Sequence, residues 1–481
     1  MPVARVDLLT ILPHVILAGG TVITLIAAAV FRRQAVVHFL AGLTMTCSLL
    51  SLGAVVPRLP AAGTDLFFFD GIAAFSSGLV LFAALCIIIL ASPYLKKQTL
   101  PAGEFAVLLM LATLGGLVLT VSSHFASLVL GVELVGIPLV VMSAYNRRDP
   151  RGIEAGFKYL VLSGVSSAFL LFGIALLYAG SGSLLFGPVV ASFRHLSAQT
   201  PVHHLGAALL IAGLGFKLGL VPFHVWIPDV YEGAPAPVTI AAATVSKAAV
   251  ITVLLRLFPP SVIENDHYLF ILFATVAIAS MTLGNLLALG QKSIRRMLAY
   301  STIAHNGYLL VAFLSGGPLA QTAILLYLFF TVVTSLAAFG VVSLLSGEKT
   351  DADDLGGYTG LAWRRPGIAL VLSAAMLSLL GIPLFAGFIA KFSLVAAGMA
   401  SMHLVPVLAL VINTGVSAYY YLRVIMTMYS VPDGAPDSVQ WPVEDRLPVF
   451  GVVVVALQAV LLVGVGTAPQ FLLKLIQRLV P

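Results

Sequence analysis

The chain has 481 residues, 60% of them hydrophobic and only 9% charged, with a mean hydropathy of +1.07 and a formal net charge of +6. Those values exclude a soluble globular protein, and no stretch has the composition of a soluble domain. What remains is an all-α integral membrane protein, in which helices satisfy their own backbone polar groups.

In chain order, apolar runs of bilayer-spanning length predict about fourteen transmembrane helices, at 8–30, 35–56, 71–93, 104–122, 124–145, 157–180, 205–223, 237–258, 268–289, 295–315, 318–345, 366–398, 403–430 and 448–475. The first run is span-length and lacks a short polar cleavage region after it, so it is expected to be retained. Loops after odd-numbered spans carry Arg32, Arg33, Lys96, Lys97, Arg147, Arg148, Arg151, Lys292, Arg295, Arg296, Lys349, Arg364, Arg365 and Arg446. The opposite loops and termini carry only Arg5, Arg58, Arg194, Arg256, Lys474 and Arg478. Basic residues concentrate on the cytoplasmic side, so both termini are expected to face outward. The positive charge then faces anionic lipid, and no aromatic-basic interleaving suggests nucleic acid as a partner.

Five basic residues lie within the predicted spans: Lys158, Lys217, Lys247, Lys391 and Arg423; among the acids, only Glu133 sits in mid-run. A charge at the bilayer centre costs roughly 2.5–3.5 kcal/mol on insertion scales, so such residues usually face a bundle interior or a water-filled route. The alternative is an ion pair or a side chain snorkelling to the interface, a reading that fits Lys158 and Arg423 better than the other three. Two of the lysines stand beside helix breaks. "LGFKLGLVPFHVWIP" contains Gly215, Gly219 and Pro222 around Lys217, and "LLGIPLFAGFIAKF" places Gly381, Pro383 and Gly387 before Lys391. Proline removes a backbone donor, and the carbonyl it frees must be satisfied by protein or trapped water. Two such breaks, each with a lysine, point to a polar cavity at mid-depth. They lie about 165 residues apart, which suits two related bundles, although self-alignment does not superpose the lysines.

"FKLGLVPFHVWIPDVYEGAPAPVT", "SKAAVITVLLRLF", "KSIRRMLAYSTIAHNGYLLVAF" and "GIPLFAGFIAKF" together resemble the N-type antiporter-like subunits of bacterial respiratory complex I, the NADH:quinone oxidoreductase. The resemblance covers nearly the whole chain. The "PDVYEGAPAPV" form resembles the N type rather than its L and M paralogues, and an end soon after span fourteen is likewise expected of N rather than L. The resemblance implies two inverted five-helix repeats with broken helices 7 and 12. The expected divisions are three N-terminal helices (1–103), a first bundle (104–260), a second, inverted bundle (261–430), and a loop with the last helix (431–481).

Residue by residue, the resemblance makes Glu133 and Lys217 a coupling pair, Lys247 the central proton carrier, His305 a shuttle between the two halves, and Lys391 the outlet-side carrier. Burial disfavours a charged lysine and a nearby carboxylate restores it, so separating Glu133 from Lys217 would move a proton. Histidine can accept at one nitrogen and donate at the other, which suits a relay, while a hydrogen-bonded packing role is the alternative. His224, Asp229 and Glu232 read as end-of-span polar groups, with lining of a proton entry as the alternative.

Cys47 and Cys86 stand in separate apolar runs and read as buried small hydrophobes; no cluster of metal-ligating residues or nucleotide fingerprint accompanies them. The chain is therefore expected to hold no cofactor or metal. The resemblance puts FMN, iron–sulfur clusters and quinone in partner subunits: a peripheral redox arm and other membrane subunits, including antiporter-like paralogues. It implies a proton-translocating, non-redox subunit in the bacterial inner membrane. The alternatives are the equivalent subunit of a ferredoxin- or F420-linked dehydrogenase, a membrane hydrogenase or a multisubunit cation–proton antiporter, and a structural spacer.

Overall fold

A computed structural model describes residues 9–30, 34–193, 201–348, 351–431 and 447–479. Arg5, Arg32, Arg33, Arg194, Lys349 and Arg446, which entered the charge argument, lie outside the described residues, as does most of the loop before the last span.

The chain is helical almost throughout. Helices α1 (Leu12–Val30) and α2 (Gln34–Val55) lead to a short antiparallel hairpin, β1 (Ala61–Thr64) with β2 (Phe67–Phe69). Then come α3 (Gly71–Lys97), α4 (Ala102–Val121), α5 (Phe125–Ser143), α6 (Pro150–Ser181), α7 (Phe186–Phe193), α8 (Pro201–Leu218), α9 (Trp226–Gly233), α10 (Ala236–Ala241), α11 (Lys247–Leu257), α12 (Pro260–Asn265), α13 (His267–Leu289) and α14 (Ile294–Phe313). The remainder is α15 (Gly317–Leu345), α16 (Leu361–Arg364), α17 (Pro366–Leu380), α18 (Ala386–Ala400), α19 (Leu404–Tyr429), α20 (Val449–Thr467) and α21 (Gln470–Leu479).

Among the described residues, twelve helices are long and apolar enough to cross a membrane, fewer than the fourteen predicted spans. The difference has a physical origin in two places. Predicted span 295–315 is α14, whose first turn holds Arg295 and Arg296 and whose middle holds His305 and Asn306; it is polar because it is enclosed by other helices. Predicted span 366–398 is split into α17 and α18, each too short to cross alone. Two further spans also end early: 205–223 stops at Leu218, and 448–475 divides at Ala468 into α20 and the amphipathic α21.

The most enclosed segment is 236–257, every residue of which is buried except Arg256. It runs through the middle of the molecule, with α3, α4 and α15 packed around it. Helices α1, α2, α6 and α19 keep apolar faces outward, as expected where lipid or another subunit replaces water. Cys47 belongs to such a face: it is exposed on α2, contrary to the buried position expected for it, whereas Cys86 is buried and accepts a hydrogen bond from Gln458 at 3.5 Å. Small residues allow the closest approaches between helices. A Cβ on Gly284 or Gly307 would lie 2.7 Å from a backbone nitrogen of the opposing helix, so α13 and α14 can meet only where these positions lack a side chain.

A buried ion cluster closes one end of the bundle. Arg295 binds Asp351 at 2.7 Å, Asp353 at 3.3 Å and the Ala234 carbonyl at 2.6 Å, which ties the loop before α16 to the turn before α10. Its walls contribute to an open polar cavity of about 1400 Å³ that also reaches Lys97, Arg148 and Glu232.

Candidate functional site

The break in "FKLGLVP" creates an acceptor. In an uninterrupted α-helix the Leu218 carbonyl would receive the N–H of residue 222, but residue 222 is proline and has none. Gly219 turns the chain with φ +73°, and Leu220 donates back to the Gly215 carbonyl at 2.8 Å, closing α8. The Leu218 carbonyl is left facing inward. It accepts from the Lys247 ammonium at 2.8 Å and from the Asn306 side-chain amide at 2.6 Å.

The same closure recurs at the second break. Gly381 has φ +87°, Ile382 donates back to the Leu377 carbonyl at 3.1 Å, and the Leu380 carbonyl, last in α17, accepts from Lys391 at 3.2 Å. Each lysine thus rests on the electronegative C-terminal end of an interrupted helix, which favours a cation. Lys247 owes its aim to a local irregularity as well. The turn before it, Ala242–Ser246, is wound as a π-helix, whose extra residue per turn changes the direction of the side chains that follow.

Lys247, 4% exposed, and His305, 3% exposed, line one cavity together with Asn306, Ser301, Thr334 and Ser335. Its volume of about 30 Å³ leaves room for about two water molecules. His305 Nδ1 lies 2.5 Å from the Tyr327 hydroxyl and Nε2 lies 3.1 Å from the Tyr421 hydroxyl, which is in turn 2.5 Å from Ser301. In a neutral imidazole one nitrogen donates and the other accepts, so both ring positions sit in hydrogen bonds suited to proton exchange. On the far side of His305 stands Tyr308, its ring centroid 5.3 Å from the imidazole and 5.0 Å from the Lys391 ammonium. Lys247, His305 and Lys391 are therefore consecutive neighbours in a buried polar file.

Glu133 and Lys217, the expected coupling pair, stand close to each other through two serines of α6. Ser167 donates to Glu133 at 2.6 Å, while Lys217 donates to Ser163 at 2.7 Å. The two serines are one turn apart on α6, and the lysine nitrogen lies 3.2 Å from where a Cβ on Gly136 would stand, one turn along α5 from Glu133. The charges are near one another without an ion pair. Glu133 is half-buried; Lys217 is 4% exposed.

Lys158 and Arg423 lie apart from this file. Lys158 is 41% exposed and bridges Glu154 at 2.7 Å and Asp229 at 2.8 Å. Arg423 donates to the Leu289 carbonyl at 3.1 Å and to the Gln291 carbonyl, capping the end of α13. Lys158 is thus ion-paired, and Arg423 is a helix cap. Asp229 and Glu232 both reach Arg296, at 3.0 and 2.7 Å. Burial works to raise the Asp229 carboxyl, but Lys158 and Arg296 outweigh it and hold the group below the usual carboxylate range. His224 is half-buried and joins neither the cluster nor the file.

Sequence reasoning passed over Ser163, Ser167, Asn306, Tyr327 and Tyr421. Two signals were available: serines four apart within an apolar run, and an amide beside a mid-span histidine in "AHNGY". The tyrosines carry no such signal, because an aromatic in a span is usually packing.

Residues 122–417 match the family model described as NADH:quinone oxidoreductase/Mrp antiporter, TM. A chain of respiratory complex I from Thermus thermophilus, in a structure with bound aureothin, is 30% identical with a TM-score of 0.81, the match covering 96% of this chain and 98% of that one. Chains from the Mrp complex of Dietzia sp. DQ12-45-1b and from the membrane-bound sulfane sulfur reductase, an archaeal respiratory membrane complex, share the fold. Their TM-scores are 0.85 and 0.81, at 20% and 22% identity, covering 98% of this chain in each case and 97% and 96% of theirs. With over half its length in the family model, and a 30%-identical structure matched end to end, this chain belongs to the NADH:quinone oxidoreductase/Mrp antiporter transmembrane family.

Proposed function

We propose that this antiporter-like membrane subunit is the N-type, proton-translocating subunit of a bacterial NADH:quinone oxidoreductase. The observation that carries the reading is the shared cavity of Lys247 and His305, with Lys391 next beyond the histidine. A proton held by Lys247 on the Leu218 carbonyl passes through cavity water to His305 and on to Lys391. Lys217 and Glu133 bias the first step: when the carboxylate's field on Lys217 weakens, that lysine gives up its charge, and repulsion of a charge on Lys247 falls. The recurrence of one helix closure at Leu218 and Leu380 supports a division into a first bundle, 104–260, and an inverted second bundle, 261–430.

The chain acts as a non-redox part of a translocase. Energy comes from quinone reduction in partner subunits, where FMN and iron–sulfur clusters reside in a peripheral arm; antiporter-like paralogues are its membrane neighbours. The membrane is the bacterial inner membrane, with both termini outside. A second reading, a subunit of a multisubunit cation–proton antiporter, is favoured by the fold likeness to the Dietzia chain at TM-score 0.85. Higher identity, 30% against 20%, favours complex I. Gentle extraction of the chain from its native membrane, with mass spectrometry of everything retained, separates them. Recovery with flavin- and iron–sulfur-bearing chains is expected. Recovery with small membrane chains alone would overturn the complex I assignment.

A further inference from the structure

We infer that Asn306 is a positioning residue that sets how firmly Lys247 is held, by sharing with it the single carbonyl of Leu218. The inference rests on the carrier reading of Lys247 and adds a residue to it.

The Leu218 carbonyl has lost its helical donor to Pro222 and takes two donors instead, Asn306 at 2.6 Å and Lys247 at 2.8 Å. Both side chains are buried, each 4% exposed, and both line the small cavity that leads to His305. A buried carbonyl with no donor is unfavourable. If Lys247 were its only donor, departure of the ammonium would leave the oxygen unsatisfied, and the lysine would be retained. Asn306 removes that obstacle, since its amide keeps the oxygen paired whichever way Lys247 points. It also places the positive end of an N–H dipole beside the ammonium, where it opposes the charged form. Each effect makes proton release easier.

Other titratable groups stand around Lys247, and their places are set. Tyr231 of α9 has its ring 6.0 Å from the ammonium, and His305 of α14 shares the cavity. Lys217 precedes Leu218 in α8, and Tyr327 of α15 reaches the cavity through His305. Of the helices packed on the lysine's own segment, α3 carries Cys86, Tyr94, Lys96 and Lys97, α4 carries Glu104, and α5 carries Glu133; α11 itself ends with Arg256, paired to Asp70 at 2.7 Å. None of these donates to the Leu218 carbonyl. Replacing Asn306 leaves them in place and changes what that oxygen offers the lysine.

The test uses the assembled complex in membrane vesicles, measuring redox-driven proton pumping against pH for wild type, Asn306→Leu and Asn306→Asp, and for Lys247→Ala with and without Asn306→Leu. Asn306→Leu removes the amide donor while keeping the branched shape, and is expected to move the acid-side limb of the pumping profile about one pH unit upward, the size of one lost hydrogen bond. Asn306→Asp, nearly isosteric, should shift it in the same direction, and it keeps the inference testable if the leucine variant fails to assemble. In the Lys247→Ala background, Asn306→Leu should cost nothing further, because its effect runs through the lysine. A lower rate with an unmoved pH limb, or losses that add, would overturn the positioning role alone. Wild-type pumping by Lys247→Ala would overturn the carrier reading and this inference with it.

Discussion

At the residue scale, Glu133 stands close to a second buried charge without touching it. It is half-buried, it takes a hydrogen bond from Ser167, and its charge reaches Lys217 across one turn of α6 without a salt bridge. In low dielectric such a separation still leaves a strong interaction, because Coulomb energy falls only as distance while screening is weak. The serines make the arrangement adjustable: each holds one partner, so a small shift of α6 against α5 changes the spacing of the charges. We predict that Glu133→Gln, which keeps the shape and the Ser167 contact but removes the charge, lowers protons pumped per electron while the complex assembles. The measurement is pumping stoichiometry in sealed vesicles, and a wild-type ratio would mean that Glu133 serves packing only. The candidate residues were legible in the sequence as charges where charges are costly. Their partners were less so: the four-residue spacing of Ser163 and Ser167 is the one mark on the serines, and Tyr327 and Tyr421 differ in no way along the chain from residues that merely pack.

Among the elements, the interrupted helices do the chemical preparation. Pro222 deletes one donor, Gly219 permits the left-handed turn, and the freed carbonyl at Leu218 becomes the seat for Lys247; Gly381 and Leu380 repeat this for Lys391. Gly219 is favoured on two counts. A Cβ there would stand 1.7 Å from Ile227 Cδ1, and a left-handed L residue costs about 1–2 kcal/mol before that clash is counted. Gly219→Ala is therefore expected to destabilise the subunit by about 2 kcal/mol or more and to lower pumping, read as thermal stability and activity of the purified complex. Wild-type stability would show that the turn relaxes freely. Both breaks were legible from proline and glycine inside apolar runs. The π-turn before Lys247 was not, because "AATVS" carries no residue that demands it; packing of 242–246 against α3 and α15 sets it. The split at Ala468 was missed for a similar reason, as apolar content hides where a helix stops.

Across the whole molecule, the segments that carry Lys247 and His305 are the most enclosed. Segment 236–257 and α14 lie within the bundle, and α1, α2, α6 and α19 present apolar faces outward. Polarity takes α14 out of the twelve apolar spans, and the break between α17 and α18 leaves each of these apolar helices too short to cross alone. Apart from the small cavity, the surroundings of Lys247 and His305 are packed side chains, among them the Tyr327 and Tyr421 hydroxyls on the histidine. Loss of one carrier should then stop the path without unmaking the fold. The measurement that tests this most directly is the number of protons pumped per electron by the purified, membrane-reconstituted complex carrying Lys247→Ala. A proton path through Lys247, His305 and Lys391 predicts an assembled complex with a lower ratio and, through coupling, slower electron flow. An intact complex pumping at the wild-type ratio would contradict it.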